Sequence, residues 1–117
     1  IKAVKSPYNV NTITQKTGTI IYSNVKYLSN VKNTIVSNRA ELYNELCKLA
    51  NEYPKRLEIV RSATNFVYIK TAESKKIYSY LLDNSVAIRY MGECIRISAG
   101  TAEENAELLS LLERYFL

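Results

Sequence analysis

Two arginines stand out because each lies in a short segment with the composition of a β-strand. Arg89 belongs to Val86–Tyr90 and Arg96 to Cys94–Ser98, and only three residues separate the two segments. A two-residue turn at Gly92–Glu93 suits type II′ geometry, which places glycine at the first central position. That turn would set Arg89 directly opposite Arg96. A three-residue turn would place the two side chains on opposite faces, each in solvent.

Two opposed arginines favour the binding of an anion. Like charges placed directly across a strand pair destabilise it, so an anion between them would relieve the repulsion. The planar guanidinium fork matches the geometry of carboxylate and phosphate groups. If the turn has two residues, the sequence therefore predicts that Arg89 and Arg96 together bind an anion, an arrangement that we call the anion clamp.

The chain offers few residues for chemistry of its own. It contains no histidine, which removes histidine-assisted nucleophiles and histidine metal ligands. Its one aspartate is Asp83, in a polar segment, and the glutamates form no inward-facing pair. No phosphate-binding glycine motif is present. We therefore predict no catalytic residue and no metal site in this chain.

The two cysteines, Cys47 and Cys94, lie in patterned apolar segments without a CxxC partner. They are predicted to be buried, unpaired thiols rather than zinc ligands, which suits a reducing cytoplasm.

Apolar spacing and turn residues predict the elements that carry these side chains. One helix should begin after Asn9 or Asn11 and run to Tyr22, and a longer one should end before Pro54. A capping box of Thr101 and Glu104 should open the last helix. The remaining elements are a short extended piece, three strands and a helix, at Leu57–Val60, Asn65–Lys70, Val86–Tyr90, Cys94–Ser98 and Ala72–Asn84.

The order α-α-β-α-β-β-α, with the short extended piece not counted, predicts an α/β fold of the α+β type. Helices should pack on a small antiparallel or mixed sheet. The apolar run Asn65–Lys70 suggests a strand covered on both faces. The 117 residues suit one domain.

The formal net charge of +5 is uneven, with six basic residues and no acid before Glu41. These cations are scattered singly and lack a nucleic-acid motif, so nucleic acid is not an expected partner. No apolar run is long enough for a bilayer span, and the first residues do not resemble a signal peptide. The missing initiator Met suggests that the chain begins within a longer protein.

Four pieces of the sequence resemble, in the same order, motifs of histidinol-phosphate aminotransferases. Cys94–Asn105, which reads CIRISAGTAEEN, is similar to the family's closing motif. Ser62–Phe66 (SATNF) resembles its strand entry, and Val86–Arg89 (VAIR) its arginine-bearing strand. Lys5–Asn11 (KSPYNVN) is similar to the segment that leaves the cofactor domain.

The resemblance implies a pyridoxal-phosphate enzyme with the aspartate-aminotransferase fold, which works as a homodimer. Residues 1–117 would be its small C-terminal domain, separated from the large domain that is its main partner. The Schiff-base lysine and the cofactor-holding residues of the family precede the KSPYNVN segment. The fragment alone should therefore bind no cofactor and be inactive.

Arg96 matches the family's arginine for the anionic end of the substrate, which is the carboxylate of glutamate or the phosphate of histidinol phosphate. Arg89 matches a second arginine near the same group. The family often has a longer stretch between the two, so the reach of Arg89 is open. Asn9, Tyr8 and Asn65 also match motif positions, with capping and packing as their expected roles.

Two other functions remain open. One is a related pyridoxal-phosphate enzyme, such as a threonine-phosphate decarboxylase or another amino-acid aminotransferase. The other is a non-catalytic module that binds anions or nucleic acid. If the chain is part of a larger aminotransferase, the surface that the large domain would cover should be exposed. We expect this surface to be apolar and to lie around Ile20, Ile21 and Tyr22.

Overall fold

The computed structural model describes residues 10–117, which divide into two compact units, one up to Asn33 and one from Thr34 to Leu117. Within that range the helices are α1 Thr12–Ser23, α2 Val25–Glu52, α3 Ser74–Asp83 and α4 Ala102–Phe116. The strands are β1 Glu58–Val60, β2 Phe66–Lys70, β3 Arg89–Tyr90 and β4 Cys94–Ser98. None of these helices combines the length and apolar character that a membrane crossing needs.

In the first unit, α1 begins where an asparagine caps it. The Asn11 side chain accepts a hydrogen bond from the Thr14 backbone N–H at 2.8 Å. This contact satisfies one of the amide donors that a helix N-terminus leaves free. None of the residues of α1 is buried, and Ile20 and Tyr22 are 71% and 78% exposed. The expected exposure of this apolar surface is confirmed.

In the second unit the strands form one antiparallel sheet in the order β1-β2-β4-β3. The predicted fold class is confirmed, and the short extended piece adds a fourth strand because Glu58–Val60 pairs with the end of β2. The strand expected over 86–90 is shorter than predicted. Ser85 has a φ of 65° at a turn, and pairing with β4 begins only at Arg89.

One face of this sheet carries the core. The inward side chains of β2 and β4 are Val67, Ile69, Ile95 and Ile97, each no more than 2% exposed. Helices α2, α3 and α4 cover them with leucines, Ile77 and Phe116. The prediction that β2 is covered on both faces is wrong, since Phe66 and Tyr68 alternate with the core residues and stay half-buried.

Some side chains are less buried than their apolar positions suggest. Leu82 of α3 is 49% exposed because the adjacent Leu81 occupies the core position. Both cysteines are free, and they are half-buried rather than fully buried.

The start of α4 is held by its side chains. The Thr101–Glu104 capping box is present. Asn105 is buried and accepts a hydrogen bond from the Gly100 N–H at 2.9 Å. Asn38 of α2 donates its side-chain amide to the Gly100 carbonyl at 3.0 Å, which joins α2 to the end of the β4–α4 connection.

The other end of α4 is held by an ion pair beneath it. Arg56 donates two hydrogen bonds to Glu73, at 2.7 and 2.9 Å, and Tyr115 donates a third at 3.1 Å. The bonds from Arg56 hold the pKa of Glu73 below its usual value. The stability that this carboxylate contributes is therefore present above its unfolded-state pKa and is lost as pH falls through the folded-state pKa.

Candidate anion-binding site

The hairpin has the register that the two-residue turn predicts. Arg89 lies opposite Arg96, and the Met91 N–H donates to the Cys94 carbonyl at 2.9 Å. Gly92 has a φ of 79°, the left-handed backbone required at the first central position of a type II′ turn. Residues directly opposite in an antiparallel pair share a face, so the two arginines lie side by side.

The arginines lie on the sheet face opposite the core, which we call the open face. A row across it joins Arg89, Arg96, Tyr68 and Val60, since each is the register partner of the next. The other strand residues of the open face, by the same alternation, are Glu58, Phe66, Lys70, Cys94 and Ser98.

Aromatic rings position the Arg96 side chain. Its guanidinium carbon lies 4.8 Å from the centre of the Phe66 ring, within cation–π range. Phe66 in turn meets the edge of Tyr68, with ring centres 5.1 Å apart and planes at 85°. This packing restricts the long arginine side chain before any ligand arrives.

The Nε atom of Arg96 is buried and has no hydrogen-bond acceptor. A buried donor without a partner costs about 1–3 kcal/mol, and more when it belongs to a charged group. An oxyanion at the guanidinium would supply the acceptor and offset that cost.

The open face has a positive balance. Its charged strand residues are three cations, Arg89, Arg96 and Lys70, and one acid, Glu58, which gives a net charge of +2. Glu58 accepts from Lys70 at 2.9 Å, and this hydrogen bond raises the pKa of Lys70. Among the described residues, no carboxylate pairs with either arginine. The charge of the two arginines is therefore not neutralised by a described carboxylate.

The structure brings together the two predicted arginines but not the other motif residues. Asn65 lies at the end of the β2–β4 pairing, where its backbone carbonyl accepts from the Ala99 N–H at 2.9 Å. Tyr8 and Asn9 fall outside the described residues. Sequence reasoning missed Phe66 and Tyr68 as site residues, although their alternation with Val67 and Ile69 was a usable signal.

The chain is similar to aminotransferases in sequence and in structure. It is 35% identical to the histidinol-phosphate aminotransferase of Cytophaga hutchinsonii, across 98% of this chain and 34% of that protein. It is 36% identical to histidinol-phosphate aminotransferase 1 of Carboxydothermus hydrogenoformans, across 93% of this chain and 31% of the relative. A comparison with models of protein families finds no match.

A solved structure shares the fold. The histidinol-phosphate aminotransferase from Clostridium acetobutylicum superimposes with a TM-score of 0.77 at 20% identity, over 97% of this chain and 36% of that one. The chain is thus a homologue of aminotransferases and has the fold of one part of them. More narrowly, its relatives are histidinol-phosphate aminotransferases, and the chain spans about one third of their length.

Proposed function

We propose that residues 1–117 are the substrate-orienting small domain of a histidinol-phosphate:2-oxoglutarate aminotransferase of histidine biosynthesis. The observation that carries the proposal is that Arg89 and Arg96 lie opposite each other on the open face and form no ion pair with a described carboxylate. The fold that carries them is shared with these enzymes. The relatives cover nearly the whole chain, which supports the same family for the longer protein.

In this proposal the arginines hold the anionic end of each substrate. Arg96 binds the phosphate of histidinol phosphate or the carboxylate of glutamate through its guanidinium, and Arg89 adds a second positive charge beside it. Both substrates present two oxygens that a guanidinium can bind in a bidentate way, so one arginine pair serves both. Fixing the anionic end restricts where the amino group lies, which is how a binding residue contributes to rate.

In this proposal the described lysines do not hold pyridoxal phosphate. A Schiff-base lysine is activated by burial or by neighbouring cations. Every lysine from Lys16 to Lys76 is exposed, and the pKa of Lys70 is raised rather than lowered. Under this proposal the cofactor, which supplies the amino-transfer chemistry, is held by the other two thirds of the longer protein. The chain alone is inactive.

We further propose that the longer protein is a cytoplasmic homodimer. The resemblance to the aminotransferase family supports the dimer, and the two free thiols suit a reducing compartment. Sedimentation of the full-length protein tests the dimer directly.

Product analysis of the full-length protein tests the function. With pyridoxal phosphate, histidinol phosphate and 2-oxoglutarate, it should form glutamate, while the 117-residue chain should form none. Release of carbon dioxide from threonine phosphate, without glutamate formation, would instead support the decarboxylase. Salt-sensitive binding of DNA or RNA by a protein with neither activity would support a binding module.

A further inference from the structure

A second pair of arginines lines a cleft on another part of the 34–117 unit. The cleft has a volume of about 580 Å³ and lies between α2 and the segment that follows β1. Arg39, Tyr43 and Asn44 line it from α2, and Arg61 and Ser62 from the other side. These side chains include two guanidinium groups and one amide, which can donate hydrogen bonds, while the Ser62 hydroxyl already shares a hydrogen bond with Thr64 Oγ1 at 2.7 Å.

The Arg39 guanidinium makes one hydrogen bond within the chain but has a second, buried donor atom without an acceptor. Its Nη1 donates to the Ser62 carbonyl at 3.2 Å, which orients the group. Its Nε is buried and has no acceptor. Arg56 differs, because Glu73 takes hydrogen bonds from both its Nε and its Nη2. A half-buried arginine in this chain can therefore be satisfied by a carboxylate, and Arg39 is not.

The cleft also lacks a counter-charge. No acidic residue lines it, and the ion pairs found among residues 10–117 involve neither Arg39 nor Arg61. Two cations sharing a cleft repel each other unless an anion lies between them. The Nε of Arg39 has no acceptor, and the charges of Arg39 and Arg61 have no acidic partner. Both observations favour a negatively charged hydrogen-bond acceptor in the cleft.

We propose that this cleft binds a small oxyanion, a phosphate or carboxylate group, between Arg39 and Arg61. Arg39 supplies an oriented guanidinium, and Arg61 supplies an exposed one. Asn44 provides a neutral donor in the same cleft. The assignment does not depend on the proposed aminotransferase function, because it uses neither Arg89 nor Arg96.

Titration of the ¹⁵N-labelled chain with inorganic phosphate tests the site, with ionic strength held constant by chloride. The amide resonances of Ser62 and Ala63 and the Arg39 Nε–H resonance should shift along a saturating curve. Resonances of β4 report the open face separately, so the two arginine pairs are distinguished in one experiment. A parallel titration with acetate compares carboxylate with phosphate as the bound group.

Arg61→Ala should weaken phosphate binding at the cleft about 5- to 10-fold, since it removes one charged contact. Arg61 is exposed, so the variant should remain folded. Arg114→Ala is the matched control, because it removes the same charge from an exposed position on α4. Shifts that stay linear for both anions, or equal weakening in the two variants, would overturn the proposal.

Discussion

At the scale of single residues, Arg96 differs from a solvated surface arginine in two measurable ways. Its guanidinium is stacked on Phe66, and its Nε is buried without an acceptor. The stacking lowers the entropy that a ligand must still remove from the side chain, and the orphaned donor favours an oxyanion. Arg89 is exposed and contributes charge beside a guanidinium that is already positioned.

Phe66→Leu should therefore weaken phosphate binding at the open face about 5-fold, because a partly desolvated cation–π contact is worth about 1 kcal/mol. Phe66→Tyr keeps the aromatic face and should bind nearly as the parent chain does. Titration of the chain with inorganic phosphate, followed through the β4 amide resonances, measures both. Equal affinities for the leucine and tyrosine variants would show that the ring does not position Arg96.

At the scale of elements, the β3–β4 turn determines whether the arginines share a face. Gly92 holds a φ of 79°, and nothing lies within 4 Å of a Cβ built there. A side chain at this position would thus meet backbone strain rather than a steric clash.

Gly92→Ala should lower the free energy of unfolding by about 1 kcal/mol, the cost of a left-handed backbone for a non-glycine residue. Gly18→Ala is the opposite control, since Gly18 lies inside α1 with open space around it and alanine favours a helix by about 1 kcal/mol. Urea unfolding of the two variants should show changes of opposite sign. A neutral Gly92→Ala would mean that the turn tolerates another geometry.

Much of this architecture follows from local patterns. The Thr101 cap and the main helices were predictable, because each depends on residues close in sequence. The hairpin register was reduced to two alternatives, and the structure has the one with Arg89 opposite Arg96. The one-sided burial of β2 was not predictable, since a continuous apolar run does not state which face meets the helices. The inclusion of β1 also escaped prediction. It depends on pairing Glu58 with Lys70, a contact between residues separated by a loop.

At the scale of the whole molecule, the two units differ in how far their apolar side chains are buried. Every buried apolar side chain among the described residues belongs to the 34–117 unit. In the other unit, α1 has an apolar side without buried residues. A helix with this composition normally covers a partner surface, and the chain spans only a third of its relatives' length.

The chain should consequently self-associate as its concentration rises, through the exposed side of α1. Sedimentation velocity should show a concentration-dependent increase in mass, which Ile20→Gln reduces and Thr19→Gln, a change at a polar position of the same helix, does not. A chain that remains monomeric at millimolar concentration would contradict the role given to this surface.

The most direct test of the central claim is the kinetics of Arg96→Ala in the full-length protein. Removal of a charged bidentate contact worth roughly 3–4 kcal/mol should lower kcat/KM by a factor on the order of 10²–10³ for both histidinol phosphate and glutamate. Arg114→Ala, which removes an exposed arginine from α4, the helix that packs on the core face of the sheet, should leave both values near those of the parent enzyme. An unchanged kcat/KM for both substrates in Arg96→Ala would contradict the assignment of this arginine to the substrate anion.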